Sequence, residues 1–189
     1  MIHPLFLVIT RLLLGFLIFF DSRQEKPSAR FIGLFFLGFA SDILDGIVAR
    51  TYHNGTIAIC VLDGVADATL YTAALFYLKK FYASIIKPYQ FWLILLVVLQ
   101  MVAWTICLIK FGHISAWHTY MAKIFGLVIV TTMATIVFFK KNIFVPVLLI
   151  VGAVYLCDDI AITLIMPYWR VGVMSAFQAL HYRNQQHLK

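Results

Sequence analysis

Four aspartates, Asp42, Asp45, Asp63 and Asp67, stand in one stretch, SDILDGIVARTYHNGTIAICVLDGVADATL, between Ser41 and Leu70. Asp42 and Asp45 are three residues apart, Asp63 and Asp67 four, so each pair lies on one face of a helix. Asn54-Gly55 between them is a turn signal. Asp45 lies nine residues before Asn54 and Asp63 nine after; Asp42 lies twelve before and Asp67 thirteen after. Folded back as an antiparallel hairpin, the chain puts Asp45 level with Asp63 and Asp42 level with Asp67. At a helical rise of 1.5 Å per residue the two levels fall about 13 Å and about 18 Å below the turn. Gly46 and Ala49 follow on the face of the first pair and leave room for a close approach.

Carboxylates crowded this way in a greasy chain need compensation. An uncompensated charge at bilayer depth costs about 3 kcal/mol or more. Arg50 supplies one positive charge and leaves a deficit. Hard oxygen ligands select Mg²⁺ or Mn²⁺. Two such divalent ions between the helices, with coordination left open for a substrate phosphate, answer the deficit and suggest phosphoryl chemistry. Two other readings stand beside it: carboxylates satisfied by internal pairing, and a proton or cation pathway through a membrane.

The elements that must position these residues are membrane helices. The chain has 189 residues, 63% hydrophobic and 12% charged, against about 25% charged in soluble domains. Its mean hydropathy is +0.94. A spanning helix needs about 20 mostly apolar residues, and charge and turn signals divide the chain into six such runs: 4–20, 31–51, 56–78, 91–109, 119–139 and 143–166. Short connections and the need to satisfy every backbone group in lipid predict an all-α bundle of six transmembrane helices over 1–166. A basic juxtamembrane tail, 167–189, lies at the interface or in water. The first run carries Arg11 and no A-x-A site, and reads as a retained span. Cys60, Cys107 and Cys157 sit in apolar runs with no ligand spacing, and read as small buried hydrophobes. The net charge of +7 fits anionic lipid headgroups and not nucleic acid, since the basic residues are scattered at span ends. Lys and Arg divide almost evenly between the two sides, so charge gives no orientation.

Asp42, Asp45, Gly46, Ala49, Arg50, Asp63 and Asp67 match the signature D-x2-D-G-x2-A-R-x8-G-x3-D-x3-D at every fixed position but one. In this the chain resembles the CDP-alcohol phosphatidyltransferase family, whose six-span architecture also fits. Near the N-terminus Pro4, Leu7 and Arg11 match a further family pattern, while Leu5 and Val8 replace its Asn and Thr. The resemblance implies transfer of a substituted phosphate from a CDP-linked donor to an acceptor hydroxyl, with release of CMP. It implies that Asp42, Asp45 and Asp63 bind metal and diphosphate, and that Asp67 is a metal ligand or the base that deprotonates the acceptor. It further implies that Gly46 and Ala49 floor the nucleotide pocket and that Arg50 holds a phosphate or orients an aspartate. The missing position is Ile59, where the family keeps a glycine beside the cytidine. A β-branched side chain there adds stiff bulk, so the pocket is reshaped, the donor shifted or nucleotide affinity lowered.

The segment KFGHISAWHTYMAK, 110–123, offers Lys110, His113, His118 and Lys123. These are candidates for a phosphate on the acceptor, with interfacial anchoring as the alternative. Asp158 and Asp159 in the sixth span need partners; at most one faces the bundle centre, where it pairs with Lys123 or Arg11 or borders the active cavity. The resulting expectation is a multi-pass CDP-alcohol phosphatidyltransferase of phospholipid synthesis. The small, bacterial-looking chain suggests CDP-diacylglycerol as donor, and the basic loop suggests glycerol 3-phosphate as acceptor. The resemblance implies a site on the cytosolic face, in a bacterial cytoplasmic membrane on this reading, and homodimers are common in the family. A non-catalytic or altered-donor homologue, motivated by Ile59, and a metal or proton transporter are the competing classes.

Overall fold

In a computed structural model that describes residues 4–52, 57–117 and 119–186, the chain is helical and no strand occurs among those residues. The helices are α1 (Pro4–Asp21), α2 (Ala29–Tyr52), α3 (Ile57–Phe81), a short α4 (Ala83–Ile86), α5 (Gln90–Phe111), α6 (Tyr120–Phe139), α7 (Val145–Ile165) and α8 (Ala176–Gln186). A 3-10 turn, Lys87–Tyr89, joins α4 to α5. Side chains at 4, 43–52, 57, 58 and 60 lie outside the description, so Asp45, Gly46, Ala49 and Arg50 have a place on α2 and nothing more. Asn54, Gly55 and His118 are outside the described residues. The chain divides into two compact units, Met1–Lys87 and Pro88–Lys189.

In the first unit α1 packs along both α2 and α3, which touch each other little among the described residues. Small residues allow this. A Cβ on Gly15 would lie 3.0 Å from Thr69 Cγ2 and 3.2 Å from the Leu70 backbone nitrogen. A Cβ on Gly38 would lie 2.7 Å from Leu70 Cδ2. All three helices therefore close on Leu70, which is fully buried. Where lipid removes the hydrophobic drive between helices, such close backbone approach supplies the van der Waals contact that holds them. At the other end Phe31 stacks on Tyr77 with ring centroids 3.8 Å apart. The Tyr77 hydroxyl accepts from Ser28 N at 2.8 Å and donates to Ser28 O at 3.2 Å, pinning the start of α2 to α3.

The second unit shows why its helices start and stop where they do. Gly112, at φ 75°, ends α5 in the left-handed conformation that favours glycine. Thr119 caps α6, its side chain accepting from Ala122 N at 3.0 Å. Pro146 sits in the first turn of α7, where a missing N–H costs nothing. Gly152 lets α7 meet Phe125 of α6 and Leu96 of α5. The tail beyond Pro167 does more than lie in water. It forms α8, and Val173 and Ala179 are buried with Cys107, Trp117, Ile162 and Met166.

Four segments among the described residues are long and apolar enough to cross a membrane: Val61–Phe81, Ala83–Phe111, Tyr120–Phe139 and Val145–Ile165. The expected spans 56–78, 91–109, 119–139 and 143–166 correspond to these four. Helices α1 and α2 do form over the first two expected spans, but neither enters this count. The side chain of Pro4 at the start of α1 and those after Asp42 on α2 lie outside the description. Large apolar side chains face outward on the long helices, among them Phe6, Leu13, Phe91, Ile109, Phe139 and Ile150. Such contiguous apolar surface is tolerated in lipid and not in water.

The α1–α3 contact predicts unequal responses to bulk. Gly15→Leu should destabilise by about 1–3 kcal/mol through overpacking against backbone, read as a lower unfolding temperature in detergent. A Cβ on Gly33 would meet nothing within 4 Å, so Gly33→Leu should change stability by about 0.5 kcal/mol or less. Equal losses for both would contradict the close approach.

Candidate functional site

Arg11 follows from the same packing. It lies one turn before Gly15, so it shares the face of α1 that is pressed on α3. Its side chain is completely buried and runs into the gap between α2 and α3. There Nη1 donates to Asp63 Oδ1 at 2.7 Å and to Asp67 Oδ1 at 2.6 Å. It also pairs with Asp42 Oδ1 at 3.3 Å. Nε lies 3.4 Å from Ser41 Oγ, which itself donates to Gly38 O at 2.7 Å. One guanidinium nitrogen thus ties α1 to α2 and α3 at once. Nη2 is buried with no hydrogen-bond partner among the described residues.

The cluster is sealed on one side and open on the other. The Asp63 side chain is 10% exposed, Asp67 30% and Asp42 36%, against 0% for Arg11. Approach is therefore past Asp42 and Asp67, with Arg11 at the back. Asp42, Asp63 and Asp67 each offer a carboxylate oxygen, and these atoms lie within 4.8 Å of one another. With all three ionised, one guanidinium leaves two negative charges, the charge of a single divalent cation. A hard-oxygen donor set of this span and charge fits Mg²⁺ or Mn²⁺.

The expected hairpin residues are brought together in part. Asp42, Asp63 and Asp67 meet; Asp45, Gly46, Ala49 and Arg50 lie outside the side-chain description. Ile59 is half-buried on α3, one turn before Asp63. The sequence points to Arg50 for counter-charge, yet the described counter-charge is Arg11, from a different helix. Its signal in the sequence is a lone arginine in the middle of an apolar run. Ser41, which steadies Arg11, carries no signal beyond its place beside Asp42.

In the second unit the polar residues mostly serve the fold. Lys110 Nζ donates to the carbonyls of Thr163, Leu164 and Met166 at 2.8, 2.8 and 2.9 Å. These close the C-terminal end of α7, where carbonyls lack helical partners and a cation is favoured. Lys123 Nζ lies 5.5 Å from the Tyr120 ring centroid. His113 packs against Trp169. Asp158 and Asp159 of the sixth expected span have partners within the second unit. Asp159 is buried and accepts from Ser115 Oγ at 3.1 Å. Asp158 Oδ1 accepts from Ala176 N at 3.1 Å, capping α8. Adjacent residues on a helix diverge by about 100°, which is why one acid turns to the α5–α6 connection and the other to α8.

The family model for CDP-alcohol phosphatidyltransferase matches residues 1–177. The chain belongs to that family, and the match runs through both units. Neither the comparison with curated proteins nor that with solved structures gives a match.

Lys110 gives the test of this division of roles. Lys110→Met removes three hydrogen bonds to α7 carbonyls and should lower stability by about 1–3 kcal/mol, read by thermal unfolding in detergent. A variant of unchanged unfolding temperature but weakened acceptor binding would return Lys110 to the acceptor site.

Proposed function

We propose that this member of the CDP-alcohol phosphatidyltransferase family moves a phosphatidyl group from CDP-diacylglycerol to an acceptor alcohol and releases CMP. The observation that carries the reading is the convergence of Asp42, Asp63 and Asp67 at one point of the first unit, open on the side of Asp42 and Asp67. Asp45 completes the four-aspartate signature on α2. The proposed acceptor is glycerol 3-phosphate, and the proposed active face is cytosolic, in a bacterial cytoplasmic membrane. Lys123 and His118 remain the basic candidates for the acceptor phosphate, with Lys110 engaged at α7.

Asp42, Asp45, Asp63 and Asp67 would hold the divalent ions. When bound, these supply Lewis-acid polarisation of the phosphoryl oxygens and stabilisation of the leaving CMP. Asp67, half-open to the approach side, takes the proton from the acceptor hydroxyl. The acceptor oxygen then bonds to the phosphorus of the phosphatidyl group. The phosphoanhydride bond between that phosphorus and the bridging oxygen breaks, and CMP leaves with the bridging oxygen and its electron pair. Gly46 and Ala49 leave space on α2 for the nucleotide, and Arg50 holds a phosphate or orients an aspartate. Buried Arg11 holds the carboxylates in mutual register, because Nη1 engages an oxygen of each of three.

The test uses the purified protein in detergent with Mn²⁺ or Mg²⁺, CDP-diacylglycerol and a panel of alcohols including glycerol 3-phosphate. CMP should appear with at least one acceptor. Asp67→Asn should lower turnover by about 10²–10⁴-fold, the usual contribution of a positioned base. Absence of CMP with every acceptor, beside an active control enzyme, would sink the transferase reading. Ile59→Gly should alter the KM for the CDP-linked donor; an unchanged KM would remove Ile59 from the nucleotide pocket.

A further inference from the structure

We infer that Tyr71 is a catalytic residue of this site: its hydroxyl donates a hydrogen bond to a non-bridging oxygen of the phosphatidyl phosphate during transfer. The inference rests on the proposed transferase reading and adds to it a residue outside the four-aspartate signature. Tyr71 follows Asp67 by four residues on α3, so the two share a face. Long side chains on a helix lean back toward its N-terminus, which sends the Tyr71 ring toward Asp67. The charges of Asp67, Asp42, Arg11 and Asp63 all act on its hydroxyl, so the hydroxyl faces the cluster as a whole. Tyr71 is half-buried, as are Asp67 and Asp42, and so belongs to the open side of the cluster, unlike sealed Arg11. Its ring is held from behind: it meets buried Phe35 of α2 edge-on, with centroids 6.4 Å apart and planes at 61°. A tyrosine buried in a protein ordinarily gives its hydroxyl a partner. Among the described residues this hydroxyl has no hydrogen bond.

The order of residues along the two helices decides which part of the substrate reaches it. Phe35 meets Tyr71 and Phe31 meets Tyr77, so α2 and α3 run antiparallel. Gly46, Ala49 and Ile59, the nucleotide residues of the proposed reading, lie on the side of the carboxylates toward the α2–α3 connection. Tyr71 lies on the other side, with Phe39 of α2, one turn before Asp42. A donor laid along this axis has its CMP toward the connection, its diphosphate at the carboxylates and its lipid half toward Tyr71. The phosphate within reach of Tyr71 is therefore the phosphatidyl phosphate, the one that is attacked. Charge in the transition state spreads over the non-bridging oxygens of that group. A phenol suits the place. It donates to an anionic oxygen, and being neutral it does not compete with divalent ions for the carboxylates. No proton is transferred. The hydrogen bond strengthens as charge develops, so it speeds the chemical step more than it tightens substrate binding.

The experiment compares the native full-length protein with Tyr71→Phe in detergent, with CDP-diacylglycerol and the acceptor that supports CMP release. Tyr71→Phe keeps the ring against Phe35 and removes only the donor. Turnover should fall about 10²-fold, the low end for loss of one such donor. The KM for the donor should change by less than about twofold, as for an interaction made in the transition state. Mn²⁺ binding, read from the electron paramagnetic resonance signal of the free ion, and the unfolding temperature should match the native protein. If Tyr71→Phe does not fold, Tyr71→Gln and Tyr71→Met carry the test, since they match in length and differ in the donor. Tyr71→Gln should then turn over at least about tenfold faster than Tyr71→Met. Turnover within about twofold, for Tyr71→Phe against native or for Tyr71→Met against Tyr71→Gln, overturns the inference and leaves the transferase reading standing. A loss of turnover that comes with weaker Mn²⁺ binding or a lower unfolding temperature also overturns it, because Tyr71 then acts through the ligands or the fold. No CMP from the native protein with any acceptor, beside an active control enzyme, overturns the transferase reading and the inference with it.

Discussion

The first unit depends on a single charged contact, the Nη1 of Arg11 against Asp42, Asp63 and Asp67. Three carboxylates this close repel each other, and Asp63, the most buried of them, has little access to solvent. Removing the partner of a buried ion pair costs about 3–5 kcal/mol, because the charge left behind is uncompensated. One guanidinium shared among three acids makes that dependence sharper. It also dictates the packing: for Nη1 to reach both α2 and α3, α1 must lie against both. Gly15 and Gly38 permit it, since a side chain at either would run into Leu70 or its backbone.

The same rule, that polar groups inside a membrane protein need partners, is met differently in the second unit. Lys110 closes the carbonyl end of α7, Asp158 caps the amide end of α8, and Asp159 takes the Ser115 hydroxyl. Each meets neutral groups, mostly backbone, and each ends a helix or fixes a connection. The polar residues of the first unit instead meet one another, charge against charge, on a side that is partly open. That contrast separates the aspartate cluster from ordinary helix-end chemistry. It also explains why a basic loop that suggests an acceptor pocket holds, at Lys110, a helix cap.

A large part of this protein is legible in its amino-acid order. Apolar runs bounded by charges give the helices, because lipid leaves the backbone no alternative to internal hydrogen bonding. The i,i+3 and i,i+4 spacings put Asp42 on one face of α2 and Asp63 and Asp67 on one face of α3, and local helix geometry is enough for that. The same residues carry the family signature, and the family match covers residues 1–177.

What needed the tertiary structure was the partner from outside the motif. Arg11 is separated from Asp63 by 52 positions and from Asp67 by 56, and no periodicity links them. Within the motif Arg50 is the only arginine or lysine. Likewise Lys110 and the α7 carbonyls stand 53 to 56 positions apart. The tail after Pro167 folds as α8 because buried Val173 and Ala179 find a surface that α5, α7 and Trp117 make. Local pattern decides which faces a helix has. Which helix meets each face is decided by packing, by where small residues let backbones close and where a buried charge must find its opposite.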